Sequence, residues 1–104
     1  MNNIDIKFKN QKLKETFVLA YKNHKENNLM IAKKLYSKIL QKEPNHPETL
    51  YLLGSLFFQI QKFNDAIETF YKVIKINPNH SLTYSNLGCA FIEIGEFQKA
   101  IQAL

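Results

Sequence analysis

Three histidines and one cysteine are the residues of this sequence that could ligate a metal ion or act as a nucleophile. His46 and His80 each follow a Pro-Asn pair, so they occupy matching points of two similar segments. Zinc needs its nitrogen ligands about 2 Å away, whereas equivalent points of two successive helix pairs are roughly 10 Å apart. No cysteine or carboxylate is spaced to join them. We therefore predict no metal site, and we interpret both histidines as turn residues beside a helix start.

Cys89 is the single cysteine, so the chain cannot form an internal disulfide. No histidine lies three or four residues from it, which leaves its thiol without a base on the same helix face. The sequence has no glycine-rich phosphate loop, no Gly-x-Ser-x-Gly motif and no paired-carboxylate pattern. We predict no catalytic residues and no cofactor, and hence a chain that is not itself an enzyme.

The basic residues are all lysine, and they are unevenly distributed. Residues 1–43 carry ten lysines and four acidic residues, whereas residues 44–104 carry four lysines and five acidic residues. Without arginine the chain lacks the planar group that best grips phosphate or guanine, so we expect no nucleic-acid partner. Lysine-driven binding to an acidic surface stays open, with an affinity that falls as salt rises.

The N-terminus has no apolar core of the kind that a secretory signal requires. The longest nearly unbroken apolar stretch, residues 50–58, is much shorter than the roughly 18 residues of a membrane span. We therefore predict a cytoplasmic protein without a membrane span. Residues 4–9 alternate apolar and polar side chains; we interpret residues 1–9 as a frayed or docked tail, with a strand added to a partner's sheet as the alternative.

The spacing of the two histidines belongs to a longer internal repeat. Residues 44–70 and residues 78–104 share 11 identities in 27 positions, and both segments begin with Pro-Asn-His. A fainter copy extends upstream, where Ala32 precedes Ala66 by the same interval. A fixed period of about 34 residues is typical of stacked helical repeats.

Each repeat predicts two helices. Residues 48–60 are apolar on most sides, as in a helix that packs between neighbours. Residues 63–74 carry apolar side chains at i, i+3, i+4, i+7, i+8 and i+11, which form one stripe of an outer helix. Small residues are expected where the two helices cross, because they let the axes approach to about 8 Å. These residues are Gly54, Ala66, Gly88 and Ala100.

The repeat resembles the tetratricopeptide repeat family, whose units are about 34 residues long. The resemblance implies an all-α fold, an α-solenoid of antiparallel helix pairs with a right-handed superhelical twist and about 2.5–3 repeats. The signature positions of a unit that begins at Pro47 hold Leu53, Gly54, Phe57, Ala66, Phe70 and Pro78. One departure lies at the turn between the two helices, where Gln61 replaces the family's frequent glycine and the third unit keeps Gly95.

The domain predicted from this resemblance covers residues 10–104. Its units are residues 13–46, 47–80 and an incomplete third of residues 81–104. Leu104 falls before the end of the third unit, so we expect an uncapped last helix that frays or self-associates end to end. We also expect the chain to be a fragment or the start of a longer protein.

The resemblance further implies a concave groove lined by the first helix of each unit. Its expected residues are Phe17, Tyr21, His24, Tyr51, Ser55, Phe58, Gln59, Ser85, Asn86, Cys89, Ile92 and Glu93. Phe17 and Phe58 have an alternative role as core between units. A mostly apolar and aromatic surface suits a peptide or a helix of a partner protein.

Two binding modes of the family are not supported by the residues. Members that clamp a C-terminal carboxylate do so with lysine and asparagine, and neither occurs at the corresponding positions here. Members with an asparagine ladder repeat that residue in each unit, whereas here only Asn86 matches. We predict a protein–protein interaction scaffold. The alternative is the N-terminal, substrate-recruiting arm of a larger glycosyl-, methyl- or sulfotransferase.

Overall fold

A computed structural model describes residues 6–104, and these residues form six α-helices and no strand. The helices are α1 (Gln11–Lys25), α2 (Leu29–Lys42), α3 (Pro47–Gln59), α4 (Phe63–Ile76), α5 (Ser81–Glu93) and α6 (Phe97–Ala103). Each helix packs against the next, and α3 also contacts α5. The result is an elongated stack of 42 × 27 × 23 Å, the all-α solenoid that the repeat predicts. None of these helices is long and apolar enough to cross a membrane.

The turn inside each helix pair has the same backbone conformation. Asn27, Gln61 and Gly95 occupy equivalent positions and have φ values of 65°, 64° and 80°. In each pair the next residue's N–H donates to the carbonyl five residues earlier, as from Lys62 to Phe57 at 2.8 Å. This is a Schellman ending, which satisfies free carbonyls at the end of the first helix. The turn therefore requires a backbone conformation in the left-handed region, with positive φ, even where the residue is Gln61.

Both repeat histidines precede an inner helix, as expected for turn residues beside a helix start. Nδ1 of His46 accepts hydrogen bonds from the Thr49 amide at 3.3 Å and from the Thr49 hydroxyl at 2.8 Å. Nδ1 of His80 contacts the Thr83 hydroxyl at 2.7 Å. The His46 imidazole thus takes the role of the short polar side chains that usually cap a helix, whereas the His80 side chain makes no such bond to the backbone of α5. In each ring one nitrogen therefore contacts the threonine three residues later.

The small residues at the helix crossing face aromatic or aliphatic side chains. A Cβ added to Gly54 would lie 2.6 Å from the ring of Phe70, and one added to Gly88 would lie 2.6 Å from Leu104. Ala66 and Ala100 are buried. The space that glycine leaves on the inner helix is therefore filled by a large side chain, from the outer helix at Gly54 and from the residue that follows the outer helix at Gly88.

The core consists of two clusters. The first joins α1, α2 and α3 around Phe17, Tyr36 and Leu56, and the second joins α4, α5 and α6 around Phe70 and Phe91. Partly buried side chains of α3 pack against both clusters, so this helix connects them. The core is thus continuous along the stack, as repeat proteins require because each pair buries its apolar face on its neighbour.

The segment before α1 packs against the turn between α2 and α3. Nε2 of His46 donates to the Lys7 carbonyl at 2.8 Å, and the Phe8 ring stacks on the His46 ring with 4.3 Å between centroids. The Lys9 amide donates to the Glu43 carboxylate at 2.9 Å. Residues 6–9 are therefore docked and outside any strand, while residues 4 and 5 of the alternating segment lie outside the described residues.

Candidate peptide-binding groove

The residues predicted to line the groove lie on the inner helices α1, α3 and α5. They differ in exposure. Gln59, Ser85, Cys89, Ile92 and Glu93 are exposed, and the remaining residues, apart from Phe17, are half-buried. The half-buried set consists of Tyr21, His24, Tyr51, Ser55, Phe58 and Asn86.

Phe17 is the exception, and its assignment to the groove surface is wrong. The side chain is fully buried. Its ring packs at a tilt against Phe8, Tyr36 and His46, with centroid distances of 5.2, 6.4 and 6.1 Å. The docked segment before α1 and the α2–α3 turn together cover it, so it contributes to stability and presents no surface to a partner.

Tyr51 is held by contacts to its ring and at its hydroxyl. The ring lies 5.0 Å from that of His80 and 6.1 Å from that of Phe70. Its hydroxyl accepts a hydrogen bond from the side-chain amide of Asn86 at 3.1 Å. A tyrosine with fixed rotamer and partly exposed ring loses little further entropy on binding, which favours it as an anchor for a ligand.

A second link between successive inner helices involves His24 and Gln59. Nε2 of His24 contacts the carboxamide oxygen of Gln59, and its Nδ1 lies 2.9 Å from the Tyr36 hydroxyl. Because an amide oxygen only accepts, Nε2 carries the hydrogen and Nδ1 accepts from Tyr36. Two residues of the predicted groove are thereby tied to the buried Tyr36, which is the equivalent of Phe70 in the first repeat.

Burial changes the acid–base behaviour of that tyrosine. Loss of hydration raises the pKa of Tyr36 well above its usual range, and the proximity of Tyr21 raises it further. The neutral phenol is the form that donates to His24. Over the physiological range Tyr36 is therefore an un-ionised phenol, and its contact with His24 involves no phenolate.

Phe58 and Ser55 are positioned by their own helix pair. The Phe58 ring meets Phe63, at the start of α4, edge-on with 5.2 Å between centroids. The Ser55 hydroxyl donates to the Tyr51 carbonyl at 3.0 Å. Because Phe58 is half-buried, part of its side chain belongs to the core and part of it remains on the groove surface. Lys25 lies over the Tyr21 ring, 5.2 Å from its centroid, and brings positive charge to the start of the surface.

The groove residues differ in the chemical groups that they present. Cys89 is exposed and unpaired. Within the described part of the chain, no three histidine, cysteine, aspartate or glutamate side chains are grouped as a metal site would require. The surface presents aromatic rings, hydroxyls and amides, which are groups that contact peptides.

Comparison with known proteins agrees with the repeat and the fold. A family model described as tetratricopeptide repeat matches residues 47–80, and a second of the same description matches residues 69–102. Together they span more than half of the chain. The chain belongs to the tetratricopeptide repeat family. No curated protein sequence matches it significantly.

Solved structures of tetratricopeptide repeat proteins share the same fold. A crystal structure of MamA matches with a TM-score of 0.83 at 31% identity, over 89% of this chain and 51% of the MamA chain. The first repeat domain of Spaghetti (RPAP3), bound to the HSP90 peptide SRMEEVD, matches with a TM-score of 0.84 at 22% identity, over 89% and 74%. The Sgt2 domain from Aspergillus fumigatus gives 0.83 at 18%, over 90% and 62%. This chain thus spans about half the length of MamA.

The first helix pair presents a feature that the groove prediction did not include. Four lysines, Lys9, Lys12, Lys38 and Lys42, line one depression at the junction of α1 and α2. The excess of lysine in residues 1–43 was the available sequence signal for it. Their convergence was not predictable, because it depends on how α2 folds back along α1.

Proposed function

We propose that this tetratricopeptide repeat domain is a protein-interaction scaffold that binds a peptide or a helix of a partner on the surface of α1, α3 and α5. The aromatic contacts would come from Tyr21, Tyr51 and Phe58, and an exposed aliphatic contact from Ile92. Ser55, Gln59 and Asn86 would supply hydrogen bonds. This composition, with aromatic anchors among polar groups, is typical of protein interfaces.

The observation that carries the proposal is the fixed, partly exposed ring of Tyr51. Its hydroxyl is held by Asn86 on the next inner helix, and its ring is flanked by His80 and Phe70. A rigid aromatic side chain at the centre of the surface is what a binding hot spot requires. The related RPAP3 domain binds a peptide in its solved complex, which supports the same general role here.

The nature of the ligand should differ from that of a carboxylate clamp. The six clamp positions hold Phe17, Tyr21, Tyr51, Ser55, Ser85 and Cys89. Phe17 is buried, and none of the others carries the cationic or amide side chain that grips a terminal carboxylate. We therefore favour an internal segment with apolar side chains over a free acidic C-terminus.

The single cysteine allows a direct test. Cys89 is exposed within the predicted surface. The purified protein can be labelled there with a thiol-reactive photocrosslinker and then added to the native extract. We expect a partner protein to be crosslinked from Cys89. The matched control is the double variant Cys89→Ser with Lys72→Cys, which moves the same label to the exposed outer helix α4. Equal crosslinking from both sites, or crosslinking only from α4, would contradict binding in the groove.

A further inference from the structure

Two adjoining depressions lie on the first helix pair, and no residue of the predicted groove lines either of them. One has a volume of about 380 Å³ and lies between the start of α1 and the end of α2. The other, of about 430 Å³, continues along α2. Lys38 lines both, so they form one surface, here called the basic furrow. Its main residues are Lys9, Lys12, Thr16, Ile31, Leu35 and Lys38.

The charge of the furrow is not neutralised by its own helices. α1 and α2 together contain eight lysines and one acidic residue, Glu15. Over residues 6–104 the only contact of salt-bridge length joins His46 and Glu48, so no lysine of the furrow is paired with a carboxylate. Glu43, beyond α2, accepts the Lys9 amide. A concentration of unpaired positive charge attracts and orients a negatively charged partner.

The furrow also has an apolar component. Ile31 is 52% exposed, and Leu35, one helical turn further along α2, is half-buried. Between Ile31 and Lys42 the helix runs for roughly 16 Å, which is about three helical turns. Lysine stems at the rim can cover apolar groups of a ligand while their ammonium groups stay in water. The furrow thus combines an apolar strip with a basic border.

The next repeat indicates which shape fits this face. Thr16 and Leu19 lie on one stripe of α1, and Leu19 is 49% exposed. Their equivalents in the next repeat, Leu50 and Leu53, are only 3% and 8% exposed. Leu53 belongs to the core cluster formed with α1 and α2. At the Thr16 edge of the furrow, then, the next repeat is covered by neighbouring helices, so an α-helix fits that edge. Asp65 and Lys72, the equivalents of Ile31 and Lys38, remain exposed.

From these observations we infer that the basic furrow docks an acidic amphipathic helix of a partner protein. The apolar stripe of that helix would lie on Ile31 and Leu35, and its flanking carboxylates would face Lys12, Lys34 and Lys38. A nucleic acid fits less well, because the furrow offers neither arginine nor an aromatic ring for stacking. The furrow is separate from the groove, so this inference stands or falls independently of the proposed function.

The test uses the full 104-residue chain and a fluorescein-labelled synthetic helix of about 18 residues. The peptide carries leucine at i, i+4 and i+7 and glutamate on both flanks, and binding is followed by fluorescence anisotropy. We expect saturable binding that weakens as salt rises. The variant Lys12→Glu/Lys38→Glu should weaken it at least about tenfold, and Ile31→Gln about threefold or more. Lys72→Glu, the equivalent of Lys38 one repeat later, should leave it within about twofold. Circular dichroism verifies that each variant stays folded.

Three results would overturn the inference. A scrambled peptide of the same composition that binds equally well would mean that charge alone is recognised. Equal weakening by Lys72→Glu would mean that the attraction is spread over the whole chain. Stronger binding to phosphatidylserine vesicles or to a single-stranded RNA than to the helix, lost in the same Lys12→Glu/Lys38→Glu variant, would assign the furrow to a lipid surface or a nucleic acid.

Discussion

The side-chain amide of Asn86 donates a hydrogen bond of 3.1 Å to the hydroxyl of Tyr51, joining α5 to α3 at the surface of the predicted groove. His24 and Gln59 make a comparable link between α1 and α3. In both pairs the partners are 35 residues apart. Polar links of this kind fix the spacing of the inner helices, and hence the shape that a ligand meets.

The Tyr51–Asn86 link should be measurable as a coupling energy. Tyr51→Phe and Asn86→Ala should each lower the free energy of unfolding by about 1 kcal/mol, because each leaves a half-buried polar group with one fewer partner. In the double variant the losses should fall short of additivity by about 0.5 kcal/mol or more. Urea unfolding of the four proteins of the cycle measures this. Strict additivity would show that the hydrogen bond does not form in solution.

The groove tyrosines should contribute to binding more than to folding. Combining Tyr21→Ala with Tyr51→Ala should weaken binding of the crosslinked partner by about 2 kcal/mol or more, the scale of interface hot spots. Helicity should remain near that of the wild type. Tyr71→Ala is the control, since Tyr71 is an equally large, exposed ring on the outer helix α4. Binding that survives the double change but fails in Tyr71→Ala would move the interface to the outer helices.

The two helix-crossing glycines should respond differently to the same substitution. Gly54→Ala places a methyl group against the fully buried Phe70 ring, and overpacking of this kind costs about 1–3 kcal/mol. In Gly88→Ala the atoms nearest to the new methyl group belong to Leu104, which is 71% exposed and can move aside. There the higher helix propensity of alanine should make the change neutral or stabilising by up to about 1 kcal/mol. Thermal unfolding compares the two, and equal losses would contradict this account.

The turn between α3 and α4 should be improved by glycine. Gln61 has a φ of 64°, a conformation that costs a residue with a side chain about 1–2 kcal/mol. Glycine avoids this cost but loses about 0.5–1 kcal/mol in chain entropy. We therefore expect Gln61→Gly to stabilise the protein by about 0.5–1 kcal/mol and to raise its melting temperature by a few degrees. Lys62→Gly, at the neighbouring residue with a φ of −91°, should instead destabilise it.

Tyr36 should make the protein sensitive to high pH. Burial raises the pKa of Tyr36 in the folded state, while in the unfolded chain a tyrosine titrates near pH 10. The contribution of Tyr36 to the free energy of unfolding is therefore complete below about pH 10. It is lost as the pH rises further, because the tyrosine ionises readily only in the unfolded chain. Tyr36→Phe should remove this dependence. The measurement is the difference in unfolding free energy between the wild type and Tyr36→Phe at each pH. The lysines titrate in both proteins, so their effect cancels in this difference.

The repeat period predicted the helix pairs, the inner and outer helices and the small residues at their crossing. The period could predict these features because they depend on which residue types recur at a given spacing. Each helix pair makes the same local contacts, so the same residue types recur in each. The period also placed His46 and His80 beside helix starts, where threonine three residues later engages the ring.

The tertiary structure alone decided which inner-helix side chains remain on the surface. Phe17 and Tyr51 occupy equivalent positions in successive repeats, yet Phe17 is buried and Tyr51 is half-exposed. The difference arises because Phe8, which belongs to no repeat, packs on Phe17. In the same way, Lys12 and Lys38 line one surface only because α2 folds back along α1. A repeating pattern carries the contacts that every unit shares, whereas exposure and charge clustering depend on neighbours that are particular to one unit.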